Sequence, residues 1–321
     1  ERNEPRFFAN TMSLSDKINT FEKGIFTYCK NRKNEKCPPW TLQSKKIKHD
    51  LAKKTIYYDN VVLKVYDFPI FFSPKFSHPD ATVKRRSGLL VPSLSNSSTL
   101  GSGFNLPYFW NIAEDRDLTI TPKIYLTENP LMLAEYRQDF KNSSLIVDSG
   151  YTPGYKKKDE KKTSGGRAHF FANFNKKIID EGERKSNLLV NLEKVSNDTY
   201  FKIHDMDSTL VDKSQNTLEN SIDYSYQDKD FYFGLTPSIY EDISKKGNLR
   251  NEYLLPLTVE KNIFSNSEFG YLDFASNLKI KNYETNKQIN LFVNDFKWKS
   301  NSWLNKLGFE NSFEGLVKTV N

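Results

Sequence analysis

From residue 104 onward the chain alternates with a period of two. In 104–112 (FNLPYFWNI) the apolar or aromatic Phe104, Leu106, Tyr108, Trp110 and Ile112 share one face. Leu118, Ile120, Ile124 and Leu126 oppose Asp117, Thr119, Thr121 and Lys123, and Met132, Ala134, Tyr136 and Phe140 point away from Glu135, Arg137 and Asp139. Ala168, Phe170, Ala172 and Phe174 repeat the pattern, as do Leu272, Phe274, Leu278 and Ile280, and then Ile289, Leu291 and Val293. Such a pattern specifies strands with one apolar and one polar face. A sandwich with one wet side would meet it. The runs, however, have the ~10-residue length of a tilted membrane strand, with tight and long connections between them. We therefore expect a large antiparallel transmembrane β-barrel over 104–321, with Glu135, Arg137 and Asp139 facing its lumen.

Composition bears on that expectation. A mean hydropathy of −0.67 and the lack of any long apolar run exclude membrane-spanning helices. A barrel escapes the test, since only alternate residues meet lipid. The net charge of +7 comes from scattered lysines without a stacking-aromatic module, so nucleic acid is not an expected partner. The ends, ERNEPRFFAN and GLVKTVN, are expected to be cut ends, so the lack of a visible targeting signal says nothing about location.

Before residue 68 the strands are shorter. Thr20, Trp40, Thr55 and Val61 each open a run rich in β-branched and aromatic residues, with turn points at Asp50, Lys53–Lys54 and Asp59–Asn60. Short, regular spacing suits a stacked jelly-roll or solenoid edge, expected over 1–92. The serine- and glycine-rich 93–103 is expected as a connector. Cys29 and Cys37 are too few for a zinc site. They are expected to close a local disulfide in an oxidising compartment, two unpaired thiols being the alternative. Lys84, Arg85 and Arg86, at the junction, are expected to meet acidic head groups, with a plain basic turn as the alternative.

Chemistry-bearing motifs are missing. No G-x-S-x-G elbow, H-E-x-x-H, phosphate loop or dinucleotide fingerprint occurs, and His49, His78, His169 and His204 are dispersed. His78 with Asp80 reads as a turn with an Asp cap. The segment 200–217, with Asp205, Asp207 and Asp212, lacks the spacing of a calcium loop and reads as a polar loop. No cofactor or metal is expected, and no enzyme.

The stretch 68–122 carries a family pattern. It reads FPIFFSPKFSHPDATVKRRSGLLVPSL, then SSTLGSGFNLPYFWNIAEDRDLTITP, followed by LAEYRQDF. In order and spacing it resembles the family of LPS-assembly proteins, LptD, also called organic solvent tolerance proteins. That resemblance implies a periplasmic β-jelly-roll joined to an outer-membrane barrel of which this chain would hold about the first half. It implies lipopolysaccharide as cargo, inserted into the outer leaflet through a lateral gate between the first and last strands. It further implies a periplasmic bridge protein, LptA, docking on a jelly-roll edge, a plug lipoprotein, LptE, within the barrel, and outer-membrane lipid around it. The family's gate prolines fall here on Pro107 and Pro122, each of which removes a backbone donor from its strand. Family disulfides join N-terminal to C-terminal cysteines, whereas both cysteines here lie in the first module. A passive porin or receptor would instead begin its barrel at the N-terminus, and a soluble glycan-binding β-sandwich would need no detergent.

Overall fold

A computed structural model describes residues 6–27, 40–65, 67–83, 85–156, 165–206, 208–284 and 286–321. The chain is all-β in two compact units, 1–86 and 87–321.

The first unit is one antiparallel sheet of β1 (Arg6–Phe8), β2 (Thr11–Ser13), β3 (Ile18–Thr27), β4 (Trp40–Asp50), β5 (Thr55–Val65) and β6 (Phe68–Pro79). The order is β1-β3-β4-β5-β6, with β2 on β3. Phe21, Phe26, Ile47, Ile56, Tyr58 and Val61 form its buried core, with Phe7, Trp40 and Leu42 packed against them. Asp59–Asn60, expected as a turn, lies instead inside β5. Asn60 takes a φ of 50°, a left-handed conformation that asparagine tolerates, and the ladder resumes around it, Asp59 facing Lys46 and Val61 facing Ser44.

The second unit opens with β7 (Gly88–Leu89), β8 (Ser93–Ser97), β9 (Gly101–Asn105), β10 (Tyr108–Ala113), β11 (Arg116–Tyr125), β12 (Leu131–Phe140) and β13 (Ser143–Thr152). It continues through β14 (Arg167–Glu181), β15 (Arg184–Val195), β16 (Thr217–Gln227), β17 (Phe231–Leu235), β18 (Ser238–Asp242), β19 (Asn251–Asn266), β20 (Gly270–Tyr283) and β21 (Lys287–Lys299). A small hairpin of β22 (Trp303–Leu304) and β23 (Glu310–Asn311) precedes β24 (Glu314–Val320). The main sheet has 16 strands, each paired antiparallel, and its path runs from β24 to β7. Extended antiparallel strands of this kind are what a barrel portion requires. The single α-helix among the described residues, α1 (Tyr200–Ile203), has four residues.

The stretch 93–103 is not a connector. Ser93 pairs with Asn105 and Ser97 with Gly101, so β8 and β9 form a hairpin that joins the sheet through β11. Ser97 Oγ accepts the amides of Thr99 and Leu100 in its turn, and Gly101 takes a φ of 76°. Serine and asparagine occupy strand positions here and hide the alternation. The boundary accordingly moves back to between Arg86 and Ser87.

Candidate functional site

Strand register resolves the large sheet into two unlike faces. One row crosses β10 to β15 as Trp110, Leu118, Tyr136, Val147, Ala172 and Leu192. A second runs on from β15 to β21 as Leu188, Tyr224, Leu235, Leu257, Leu278 and Phe292. On that same face Met132, Phe170, Ile222 and Tyr253 are each close to half exposed. The opposite face carries Asn111, Asp117, Arg137, Ile146, Asn173, Asn191, Ser221 and Ser238 in one row. There Arg137 Nε donates to Asp117 at 2.9 Å and Asn173 to Asn191 at 2.5 Å. Glu135 and Arg137 belong to this polar face, and Asp139, two residues further along β12, shares their parity.

The alternation expected at the end of the series is corrected in β21. Ile289, Leu291 and Val293 stand opposite Lys281, Lys279 and Asn277, on the polar face, while Phe292 and Phe296 lie on the apolar one. This strand is apolar at both parities, so its period cannot choose a face. The Phe274–Phe296 ring pair, with centroids 4.8 Å apart, accompanies the observed choice.

Pro107 and Pro122 are brought into neighbouring pairs. Leu106 N–H donates to the Pro122 carbonyl at 3.1 Å, and Leu90 N–H donates to the Pro107 carbonyl at 2.8 Å. In an antiparallel hydrogen-bonded pair both residues normally exchange bonds. Neither proline has an N–H to return, so each pair holds one bond in place of two. Two adjacent interfaces, β11 with the β9–β10 strand and that strand with the β7 segment, are half-bonded at the same level.

The connection between β15 and β16 is not a solvated polar loop. It folds over the polar face and buries Tyr200, Phe201, Met206 and Val211 in one cluster with Leu100, Tyr125, Leu131, Phe171 and Val195. Lys123 Nζ donates to the carbonyls of His204 and Asp205 at 3.2 and 3.1 Å, where Asp205 takes a φ of 43°. Tyr125 Oη lies 3.2 Å from His204 Nδ1. His169 sits between Asp148, 3.2 Å from Nε2, and Tyr200 Oη, 3.3 Å from Nδ1. Gly150 makes room for that ring, since a Cβ there would stand 2.6 Å from His169 Cε1. Thr209 Oγ1 donates to Glu135 at 2.9 Å. Burial, followed by the cations of Lys123 and Arg167, lowers the His204 pKa to about 4. Sequence reasoning missed this assembly because its apolar residues fall at irregular intervals among aspartates. Tyr200–Phe201 followed by Met206 was the available signal.

At the junction, Arg86 donates to Thr55 Oγ1, a nearly buried hydroxyl in the first unit, which ties it inward. Asp80 accepts the Thr82 amide at 2.9 Å, as an Asp-capped turn does, and also meets His49 Nε2 at 2.5 Å. His78 bonds Tyr58 Oη at 2.7 Å, and burial lowers its pKa. Lys84, Cys29 and Cys37 lie outside the described residues. Among the described residues, no group of three or more His, Cys, Asp and Glu side chains is placed to hold a metal ion.

No family model matches the chain. Among known proteins it is similar to the LPS-assembly protein LptD of Shewanella sp. (strain ANA-3), 29% identical over 252 residues, which are 77% of this chain and 31% of that protein. It is also similar to LptD of Pseudoalteromonas translucida, 30% identical over 213 residues, 64% of this chain and 26% of the relative. LptD of Nitrosococcus oceani is 29% identical over 190 residues, 59% of this chain and 24% of the relative. The resemblance carried by residues 68–140 thus extends to most of the chain. The chain spans about a third of the length of the curated relatives it matches.

Proposed function

We propose that this chain is the part of a lipopolysaccharide-assembly protein in which a periplasmic strand module leads into the first strands of an outer-membrane barrel, and that it moves lipopolysaccharide without covalent chemistry. The observation that carries the proposal is the half-bonded proline seam in a chain similar to LptD. Pro107 and Pro122 are the gate prolines. Each withholds one ladder bond, so the first strands part more readily than the continuous ladder from β12 to β16.

The apolar rows form a lipid-facing belt, and the polar face, lined by asparagine, serine and charged side chains, suits saccharide, which is hydrated and rich in donors and acceptors. Glu135, Arg137 and Asp139 face that lumen. A bridge protein such as LptA would extend one edge of the six-stranded sheet by strand addition, and a plug lipoprotein such as LptE would enter the polar side of the completed barrel. Lys84 and Arg85 meet acidic head groups at the membrane surface, with Arg86 anchored on Thr55 beside them.

The test is substitution of Pro107→Val and Pro122→Val together in the complete protein. Two restored ladder bonds, at about 1 kcal/mol each, slow opening on the order of tenfold or more. Surface lipopolysaccharide then falls and permeability to a large hydrophobic antibiotic rises. Normal values of both overturn the gate. Solubility of residues 87–321 without detergent overturns the membrane placement.

A further inference from the structure

The buried cluster on the polar face reaches one end of the proline seam and not the other. Leu100, in the β8–β9 turn, is 2% exposed within it, and Tyr125 joins it from the end of β11. Lys123, next in sequence to Pro122, is hooked under two consecutive carbonyls of the in-folded connection. Thr127 Oγ1 adds a bond to the Leu100 carbonyl at 3.3 Å, and Leu126 N–H one to Ser102 at 3.0 Å. The Leu106–Pro122 and Leu90–Pro107 pairs lie immediately beyond these contacts. Past them, in β10, alternate residues Tyr108, Trp110 and Ile112 are exposed, and no β10 residue belongs to the buried cluster.

We infer that the β15–β16 connection is a clasp that holds the Gly101–Asn105 end of β9 on β11, so that β7 parts from β10 at the Tyr108–Ala113 end, where β10 itself stays tied to β11 by their two-residue turn, with the proline pairs as the pivot. A lysine suits the hook. Its four-carbon stem lies along apolar surface while three N–H donors satisfy converging carbonyls, and a buried ammonium without them would be strongly unfavourable. The aromatic cluster supplies rigidity, since close-packed cores shift between discrete arrangements and do not deform smoothly. The prolines then do more than weaken the sheet: they mark the line between a held base and a tip open on its β7 side. The consequence for export rests on the proposed gate, but the clasp is testable without it.

Hydrogen exchange of the complete protein in lipid nanodiscs reads the two ends separately. The amides of 101–105 and 123–125 should exchange about tenfold or more slower than those of 108–113. Lys123→Met should bring the held end to the rate of the free end while 251–299 stays unchanged. Equal rates at the two ends of the parent protein overturn the clasp, and so does a held end that stays slow in Lys123→Met. Should that variant unfold broadly, the parent comparison alone decides. Held and free ends as described, together with unaltered lipopolysaccharide export in the proline variants, would sustain the clasp and remove the gate.

Discussion

Strands β11 to β16, with the β8–β9 turn, carry a second layer on their polar face, whereas among the described residues strands β19 to β24 contribute no buried hydrophobic side chain. Both regions have the same ladder and the same period. In the first, a connection returns over the face and buries Tyr200, Phe201 and Phe171 almost completely. In the second, strands of up to 16 residues rely on pairing and on half-exposed rows such as Leu257, Leu278 and Phe292. Alternation is therefore enough to build strands, but the tertiary core that restrains them is a local addition. It is placed beside the Pro107 and Pro122 pairs, and a second double half-bonded site, Ile222 with Pro237 and Thr236 with Pro256, lies between β16 and β19.

Substitution in the cluster should separate the regions most sharply. Phe171→Ala leaves a cavity under α1 and should destabilise the protein by about 3–5 kcal/mol. Phe296→Ala loses chiefly its ring pair with Phe274 and should cost about 0.5–1.5 kcal/mol. Denaturant unfolding in detergent compares them, and equal losses would erase the distinction between the regions.

Acid should act on the first of these two regions through His204. His204 is held neutral by burial and faces Lys123 and Arg167, with the Tyr125 and Tyr200 phenols and Asp205 about it. The unfolded imidazole takes its proton near 6.5, and the folded one only near 4. Between those values the unfolded chain binds the extra proton, so this contribution is complete above about pH 6.5 and declines as pH falls towards 4. The loss is at most about 3 kcal/mol. Thermal unfolding from pH 7 to 4.5 should show it, and His204→Gln should flatten the profile. A slope that survives the substitution places the titrating group elsewhere.

The smallest effect belongs to the second region. Lys287 pairs with Glu284 across an exposed turn. Lys287→Ala should leave the Tm unchanged within error, and a measurable drop would mean that exposed pairs carry part of the work a core does elsewhere.

Much of this architecture was legible in the residues. The clean parity of β11, β12 and β14 located the two faces, and the proline spacing located the seam. Where it was not legible, the cause is specific. Serines and asparagines in 93–103 pair as well as any residue in a ladder but carry no apolar period. Asn60 has the composition of a turn yet only kinks a strand. β21 is apolar at both parities, so its facing depended on a ring in the neighbouring strand, Phe274 of β20. The clasp was hidden because long-range burial leaves no periodic trace in a segment rich in aspartate, and because Lys123 looks like any solvent-facing lysine until its carbonyl partners are seen.

The half-bonded pairs have one more consequence. Where Pro122 cannot answer Leu106, and Pro107 cannot answer Leu90, two peptide carbonyls are left one amide short. In hydrocarbon such a group is expensive, by several kcal/mol. Were the proposed gate to lie in lipid, the seam would be stable only if hydrated, and water threading to those carbonyls would lubricate the line along which the strands are proposed to part.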